Sequence, residues 1–235
     1  MDKDLKFLIL FFYYERGSTA VASLKSVSAQ TYDNYHLAFI DDSEDPSRGR
    51  FLFCEFASNA SYHHTKDTLE AKIARGGSMF GAKANEIMLA SYADVVVTLC
   101  DDDCLTPWYL EELNKFYKAN PSIMSSFCDV ITYDPSVDNW EDKLKEPASD
   151  HFLNHNKNPH CGGNSKDSSQ QSFRMQCVKD GVRWASPLTA CLDYHMWNSL
   201  YAHHGNAHYN GIIGQVKAYW SKQLGSRGDT YGNTQ

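Results

Sequence analysis

The sequence predicts an α/β fold, with a mainly parallel β-sheet covered by helices on both faces within one domain. Over the first 130 residues, short apolar runs alternate with amphipathic stretches, as expected for repeated strand–helix units. Residues 94–99 form a run rich in β-branched side chains, which is typical of a strand buried on both faces. A length of 235 residues and a hydrophobic share of 42% are enough for a buried core, and they exclude a globally disordered chain.

The elements follow from hydrophobic periodicity and from turn residues. The predicted strands are 6–12, 35–40, a shorter one at 51–56, 94–99 and 125–133. The predicted helices are 19–29, 81–91, 108–118 and one around 193–203. In the first helix Val21, Leu24 and Val27 recur at helical spacing, so one face can pack on a sheet. Pro107 marks the start of the third helix, because proline is tolerated in a first helical turn.

The composition changes after residue 130. Residues 135–171 are rich in Asp, Asn, Ser, His, Pro and Gly and show no clear period, which indicates a long polar loop of the kind that forms lids or binding segments. Residues 225–235 are polar and glycine-rich, so a flexible tail is expected. No internal repeat and no second core is evident. We therefore divide the single domain into a first half, 1–130, and a second half, 131–235.

Charge and cysteine usage restrict the class of protein. The net charge of −7 gives no general attraction to nucleic acid or to an anionic membrane. The apolar run 7–12 is shorter than the roughly 20 residues that span a bilayer, and it lacks a signal-peptide cleavage site. Seven cysteines without a Cys-x-x-Cys pair indicate reduced thiols. A cytoplasmic protein without a membrane span is expected. A zinc site at Cys161 with His155 and His160 matches no standard spacing.

Three consecutive acids follow the central predicted strand. Asp101, Asp102 and Asp103 come directly after the apolar run, and so lie at the carboxyl edge of a parallel sheet, where open α/β folds bind ligands. Hard carboxylate oxygens suit Mg²⁺ or Mn²⁺, and a cation would relieve their mutual repulsion. Taken alone, the triplet could equally be a solvated loop with a helix-capping acid.

Two other predicted strands also end in polar or aromatic residues, and their order along the chain is informative. Residues 14–16 read Tyr-Glu-Arg, residues 26–32 read Ser-Val-Ser-Ala-Gln-Thr-Tyr, and residues 40–43 read Ile-Asp-Asp-Ser. Gly-Gly at 76–77, Ala-Lys at 82–83 and Ala-Asp at 93–94 precede the acidic triplet. This ordered set resembles the family 2 glycosyltransferases, which have the GT-A fold. The resemblance covers roughly residues 5–118.

The resemblance implies a Rossmann-like GT-A fold and a metal-dependent, inverting transfer of a sugar from a nucleotide-sugar to an acceptor hydroxyl. UDP is the family's commonest carrier. In this scheme the half 1–130 binds the nucleotide-sugar and the half 131–235 binds the acceptor. The implied nucleotide-sugar contacts are Tyr14, Arg16, Asp41, Asp42, Arg75, Lys83, Asp101 and Asp102. Tyr14 would stack on the base, and Asp42 or Asp41 would bind the base edge. Asp101 and Asp103, an Asp-x-Asp pattern, would hold Mn²⁺ or Mg²⁺.

The resemblance also implies a catalytic base near the start of the last predicted helix. Family members usually carry a Glu-Asp pair there, and this chain has Leu192 followed by Asp193. Asp193 would take the proton of the acceptor hydroxyl as it attacks, although a plain helix-capping role for Asp193 stays open. His195 is a second candidate base. Candidates for a third metal ligand or a diphosphate contact are His203, His204, His208, Lys222 and Arg227.

The acceptor is left open by the sequence, and so are two alternative functions. A glycan, a lipid, a protein or a modified DNA base could receive the sugar. Transfer to DNA is favoured by the basic and aromatic residues Lys157, Lys166, Arg174, Lys179, Arg183 and Trp184. Leu192 in place of the family's Glu would also fit a nucleotide-binding or glycan-binding module without catalysis. A nucleotidyltransferase is disfavoured, because the first strand lacks a glycine-rich basic phosphate loop.

Overall fold

The fold is taken from a computed structural model that describes residues 3–133, 168–187, 192–205 and 207–218. The predicted polar loop up to residue 167 and the predicted tail 225–235 lie outside these residues. So do the candidates Cys161, His155, His160, Lys222 and Arg227. Among the described residues, none of the helices combines the length and the apolar character that a membrane crossing requires.

Eight strands within the described ranges form one mixed sheet. They are β1 (Phe7–Tyr13), β2 (Tyr35–Asp41), β3 (Ala60–His64), β4 (Val95–Cys100), β5 (Asp103–Leu105), β6 (Ser125–Tyr133), β7 (Gln171–Arg174) and β8 (His208–Ala218). Their spatial order is β3-β2-β1-β4-β7-β6-β8-β5. β1 to β4 are mutually parallel, β6 and β8 point the same way, and β5 and β7 run in the opposite direction.

Helices cover both faces of this sheet. They are α1 (Gly17–Ser28), α2 (Ser47–Phe56), α3 (Leu69–Arg75), α4 (Phe80–Ala90), α5 (Tyr109–Ala119), α6 (Met175–Lys179) and α7 (Leu192–His204), with a 3₁₀ turn at Ser168–Gln170. All seven residues of β1 are buried. Because side chains alternate along a strand, Phe7, Ile9 and Phe11 join the core under α1, α2 and α5. Leu8 and Leu10 join the core under α4, α6 and α7.

The predicted strand at 51–56 is wrong, since these residues belong to α2. Asp45 accepts a hydrogen bond from the Ser47 N–H (2.9 Å) and so supports the first turn of the helix. Leu52 packs inward while the neighbouring Phe51 is 60% exposed. The third strand is β3 instead, which was not predicted. Its five residues are all half-buried, because it lies at the edge of the sheet, and it therefore lacks an apolar run.

The strand register brings three chain turns to one edge of the sheet. Tyr13 at the end of β1 pairs with Asp41 at the end of β2, and Phe12 pairs with Cys100 at the end of β4. The next residues continue this alignment, because the Asp42 N–H donates to the Tyr13 carbonyl and the Asp101 N–H donates to the Phe12 carbonyl. β7 runs the other way, so the turn that precedes it arrives at the same edge.

Candidate functional site

Asp41, the last residue of β2, is engaged entirely by its own surroundings. Its Oδ1 accepts hydrogen bonds from the backbone N–H and the hydroxyl of Ser43, at 2.8 and 2.5 Å. Its Oδ2 accepts from the Tyr62 hydroxyl at 2.5 Å. Gly49 of α2 packs against this carboxylate so closely that a Cβ would lie 1.9 Å from Oδ2. Asp41 therefore holds in shape the turn that leads to its neighbour, Asp42.

That neighbour, Asp42, forms an ion pair with a lysine that the sequence did not single out. Lys72 Nζ lies 2.8 Å from Asp42 Oδ2, with the two side chains 1% and 2% exposed. The hydroxyls of Thr65 and Ser78 also donate to this carboxylate, at 2.6 and 2.8 Å. Burial raises the pKa of Asp42, and the hydrogen bonds from Lys72, Thr65 and Ser78 oppose that rise. A buried carboxylate and a buried ammonium thus lie side by side at the edge of the sheet.

Tyr14 places an aromatic ring over this pair. Lys72 Nζ lies 4.6 Å from the centre of the Tyr14 ring, a distance at which a cation is attracted to the ring face. The backbone N–H of Tyr14 donates to Asp101 Oδ2 at 2.7 Å, which ties the end of β1 to the end of β4. Glu15 then adopts a left-handed conformation with φ of 57°, and this sharp turn leads directly into α1. The predicted Tyr14 and Asp42 are therefore brought together, with Lys72 between them.

Arg16 neutralises part of the acidic triplet. Its guanidinium pairs with Asp102, and its Nη1 also lies 3.8 Å from Asp101 Oδ1. Burial raises the pKa of Asp101 well above its usual range, Asp102 and Asp103 add to the rise, and Arg16 counteracts it. Burial by itself would lower the pKa of Arg16, but the charges of Asp102 and Asp101 more than offset this and raise it. The local field at this edge is thus strongly negative.

Asp103 is held by a segment from the second half of the chain. It is buried at the start of β5, and the Ser169 hydroxyl donates to its Oδ2 at 2.6 Å. The same Ser169 oxygen accepts the Cys100 N–H at 3.0 Å. Ser169 belongs to the 3₁₀ turn that precedes β7 and was not predicted, because serines in a polar segment carry no distinguishing pattern. Within the described residues, Cys100 Sγ and one carboxylate oxygen each of Asp102 and Asp103 lie within 4.8 Å of one another.

Two basic residues implied as nucleotide contacts are engaged with protein carboxylates. Arg75 pairs with Asp67 and donates to the Gly77 carbonyl at 3.0 Å, so it closes the loop on either side of α3. Lys83 Nζ lies 2.5 Å from Glu86 Oε2 on the same helix. Contact of Arg75 or Lys83 with a nucleotide would require these pairs to open, and for both residues it stays a prediction.

The start of α7 lies on the same side of the molecule as the acidic triplet. α7 contacts the Ser168–Gln170 turn, and its last residue, His204, lies 3.4 Å from Asp180 near the opposite edge. Asp193 is in the first turn of α7, and its side chain lies outside the part that the structure describes. The candidate ligand His208 pairs with Ser126 at the beginning of β6, so His208, like His204 and the adjacent His203, is remote from Asp103.

The fold is shared with many solved structures, among them those of TarS of S. aureus. One TarS structure matches with a TM-score of 0.62 at 13% identity, covering 94% of this chain and 38% of that one. TarS 1-349 in complex with UDP-GlcNAc matches with a TM-score of 0.62 at 13% identity, over 91% and 58% of the two chains. TarS 1-349 in complex with UDP matches with a TM-score of 0.60 at 14% identity, over 94% and 62%. The predicted fold class is confirmed.

At such low identity the likeness concerns the fold alone, and this chain spans less than two thirds of the length of each of those TarS chains. No family model matches the sequence. No curated protein matches it either. Assignment of a ligand and a reaction therefore depends on the residues at the edge of the sheet.

Proposed function

We propose that this chain is a glycosyltransferase that takes a sugar from a UDP-linked donor and transfers it to an acceptor hydroxyl. The observation that carries the proposal is the row of groups at the carboxyl edge of β2, β1 and β4: the buried Asp42–Lys72 pair, the Tyr14 ring and the acidic triplet. Complexes of the structural neighbour TarS with UDP-GlcNAc and with UDP support a donor of this class.

The nucleoside end of the donor fits the Tyr14 side of this row. An aromatic ring at a half-buried position offers a stacking surface for a base, an interaction worth about 1–3 kcal/mol. Asp42 Oδ1 accepts a hydrogen bond from the Thr65 hydroxyl. Because each carboxylate oxygen has two lone pairs, this oxygen can also take the imide N–H of uracil. Lys72 supplies N–H donors beside it for a base carbonyl. This combination of a donor and an acceptor favours uracil over bases without an imide.

The diphosphate fits the Asp102 side, where the donor set also suits a divalent cation. Asp102 and Asp103 offer hard oxygens, and such ligands hold Mn²⁺ or Mg²⁺ together with substrate phosphates. The cation would supply charge stabilisation for the departing diphosphate. Asp101, whose carboxylate faces Tyr14 and Arg16, orients the end of β1 and faces the ribose and sugar. Arg16, once displaced from Asp102, is in position to neutralise a phosphate oxygen.

Asp193 is the proposed base. In an inverting displacement the acceptor oxygen bonds to the anomeric carbon as the bond to the diphosphate oxygen breaks, and the hydroxyl proton passes to a carboxylate. The contact of α7 with the Ser168–Gln170 turn, whose Ser169 binds Asp103, supports this assignment. Glycans, lipids and proteins are the acceptors to test. A DNA acceptor is less favoured, because Arg174 and Arg183 donate to backbone carbonyls and Trp184 is buried against Phe12.

Nucleotide binding and donor hydrolysis test the proposal without knowledge of the acceptor. UDP and UDP-GlcNAc with Mn²⁺ should each stabilise the ligand-free chain by about 2.7 kcal/mol at a hundredfold excess over Kd. GDP at the same concentration should stabilise it less. Tyr14→Ala should weaken UDP binding, since the stacking surface is lost. If neither UDP nor any UDP-sugar stabilises the chain in the presence of metal, the proposal is wrong.

The role of Asp193 is tested separately by Asp193→Asn. The change should reduce donor turnover about 10²–10⁴-fold, as expected for loss of a general base, while the affinity for UDP stays unchanged. His195→Asn tests the second candidate base: it should keep most of the turnover, and a comparable loss would make His195 the base instead. Unchanged turnover in Asp193→Asn would remove this residue from the mechanism. Absence of turnover in the wild type across a panel of UDP-sugars would favour a binding module instead.

A further inference from the structure

The thiol of Cys100 lies among the carboxylates of the acidic triplet. Cys100 is the last residue of β4, half-buried, and its backbone is held by the hydrogen bond to Ser169 Oγ. Because the same oxygen donates to Asp103, one serine sets the positions of both residues. The Sγ atom and the carboxylate oxygens of Asp102 and Asp103 lie within 4.8 Å of one another.

This spacing is close to that of ligands around one divalent ion. Bonds of about 2.1 Å to oxygen and about 2.3 Å to sulfur place two ligands on opposite sides of a metal about 4.4 Å apart, and adjacent ligands nearer. A closing movement of less than about 1 Å per side chain would therefore complete the coordination. Cys104, four residues on, is buried in the core beneath the same turn and does not belong to this cluster.

Asp101 does not take the place that Cys100 occupies. Its Oδ2 accepts the Tyr14 N–H at 2.7 Å and its Oδ1 faces Arg16, so its carboxylate is directed toward β1. The three donors nearest one another are thus one thiol and two carboxylates. The Arg16 guanidinium on Asp102 shows that this cluster already attracts a positive charge from within the protein.

We propose that Cys100 is a ligand of the metal in the donor site, together with Asp102 and Asp103. This inference rests on the proposed function for the role of the metal. A thiolate is a softer ligand than a carboxylate and favours Zn²⁺ and Co²⁺, whereas an all-oxygen set suits Mg²⁺. The ion of this site is therefore a divalent transition metal. Mn²⁺ is accepted through the two carboxylates, and Mg²⁺ binds less tightly than Zn²⁺, Co²⁺ or Mn²⁺.

Cobalt reports the sulfur ligand directly, because a thiolate bound to Co²⁺ gives a charge-transfer absorption in the near ultraviolet that carboxylates do not give. The full chain, without nucleotide, is titrated with Co²⁺ and followed by absorbance and calorimetry. The wild type should show the band, and Cys100→Ser should lose it with about a tenfold or greater loss of Co²⁺ affinity, at least the loss caused by removing an outer-shell partner. Cys54→Ser, an exposed cysteine of α2, is the matched control and should keep both.

A second variant covers the case in which Cys100→Ser does not fold. Cys100→Asp should lack the band, retain metal binding and bind Mg²⁺ more tightly relative to Co²⁺ than the wild type does. Three outcomes would each overturn the inference. The band could persist in either variant, the wild type could bind Co²⁺ without showing the band, or the wild type could fail to bind Co²⁺. UDP titration separates the two proposals: a chain that shows the band but ignores UDP refutes the proposed function, and one that binds UDP but lacks the band refutes the thiolate ligand.

Discussion

Lys72 and Asp42 form an ion pair that is almost completely removed from solvent, at the mouth of the proposed nucleotide site. Lysine is among the side chains least often found fully buried. Such a pair contributes little net stability, because the desolvation of two charges offsets their attraction. Removing one partner is costly, however, since the other charge is left buried without compensation. The effect of the pair on stability should therefore be seen when one partner is removed and the other is kept.

Lys72→Met should destabilise the chain by about 3–5 kcal/mol at neutral pH. The size of this loss in unfolding free energy should depend on pH. Without Lys72 the pKa of Asp42, already raised by burial above 3.8, rises further. A carboxyl whose folded pKa exceeds its unfolded pKa loses stability as pH rises between the two values. The difference in unfolding free energy from the wild type should thus be smallest near pH 3.8 and grow toward neutrality.

Denaturant unfolding at several pH values measures this difference. Lys115→Met is the matched control, since Lys115 pairs with Glu111 and Glu112 on the exposed surface of α5. Its substitution should change stability far less than that of Lys72. A deficit in Lys72→Met that is independent of pH would show that lost packing, and not the uncompensated Asp42 charge, dominates.

At the scale of elements, α4 is held against the segment that leads toward α7. The Asn85 side chain accepts a hydrogen bond from the backbone N–H of Trp184 and donates one to the backbone carbonyl of the same residue, both at 2.9 Å. Gly81, one turn earlier on α4, lets the Ala185 carbonyl approach so closely that a Cβ would lie 2.0 Å from its oxygen. Ser78, just before α4, donates to Asp42. The helix thus links the proposed nucleotide site to the 184–187 segment.

Gly81→Ala should destabilise the chain, although alanine is the better helix former. The helix gains about 0.5–1 kcal/mol from the substitution, whereas overpacking against a backbone carbonyl costs about 1–3 kcal/mol. The measurement is the midpoint of thermal or denaturant unfolding. Leu89→Ala on the exposed side of the same helix should change stability by about 0.5 kcal/mol or less. Stabilisation by Gly81→Ala would mean that α4 and residue 185 are not in contact.

At the scale of the molecule, the sheet separates two hydrophobic cores. One lies under α1, α2 and α5, and the other under α4, α6 and α7. Leu200 anchors α7 in the second core, where it is buried with Met196 and Trp197. The proposed nucleotide contacts come from the ends of β1 and β2 and from α3. The position of Asp193, the proposed base, depends on how α7 packs.

Leu200→Ala should therefore separate binding from catalysis. Truncation of a buried leucine costs about 2–5 kcal/mol, and the loosened α7 should lower donor turnover by misplacing Asp193. UDP affinity, measured by calorimetry well below the unfolding temperature, should fall less than turnover does, because Tyr14, Asp42 and Lys72 lie on elements other than α7. Tyr201→Ala, an exposed neighbour on α7, is the control. An equal loss of UDP affinity and turnover would contradict the separation.

Periodicity predicted the elements whose burial is regular. β1, β2 and β4 are nearly all buried, and their apolar runs stand out in the sequence. The segment 51–56 was misassigned because a short run of aromatic residues is compatible with either a strand or a helix. β5, β7 and β8 were not predicted, since their pairing partners lie far away in the chain and their own residues are largely polar or irregular in pattern.

The sequence by itself determined β1, α1, β2, α4, β4 and α5 in the first half. It also determined the placement of Tyr14, Asp42 and the acidic triplet at strand ends. Only the tertiary structure decided that Asp41 is engaged internally, that Lys72 is buried against Asp42 from 30 residues away, and that Ser169 binds Asp103 from 66 residues away. It also decided that Cys100, and not Asp101, lies beside Asp102 and Asp103. Hydrophobic periodicity is a local property, whereas the direction of a polar side chain depends on charges and donors that distant segments supply.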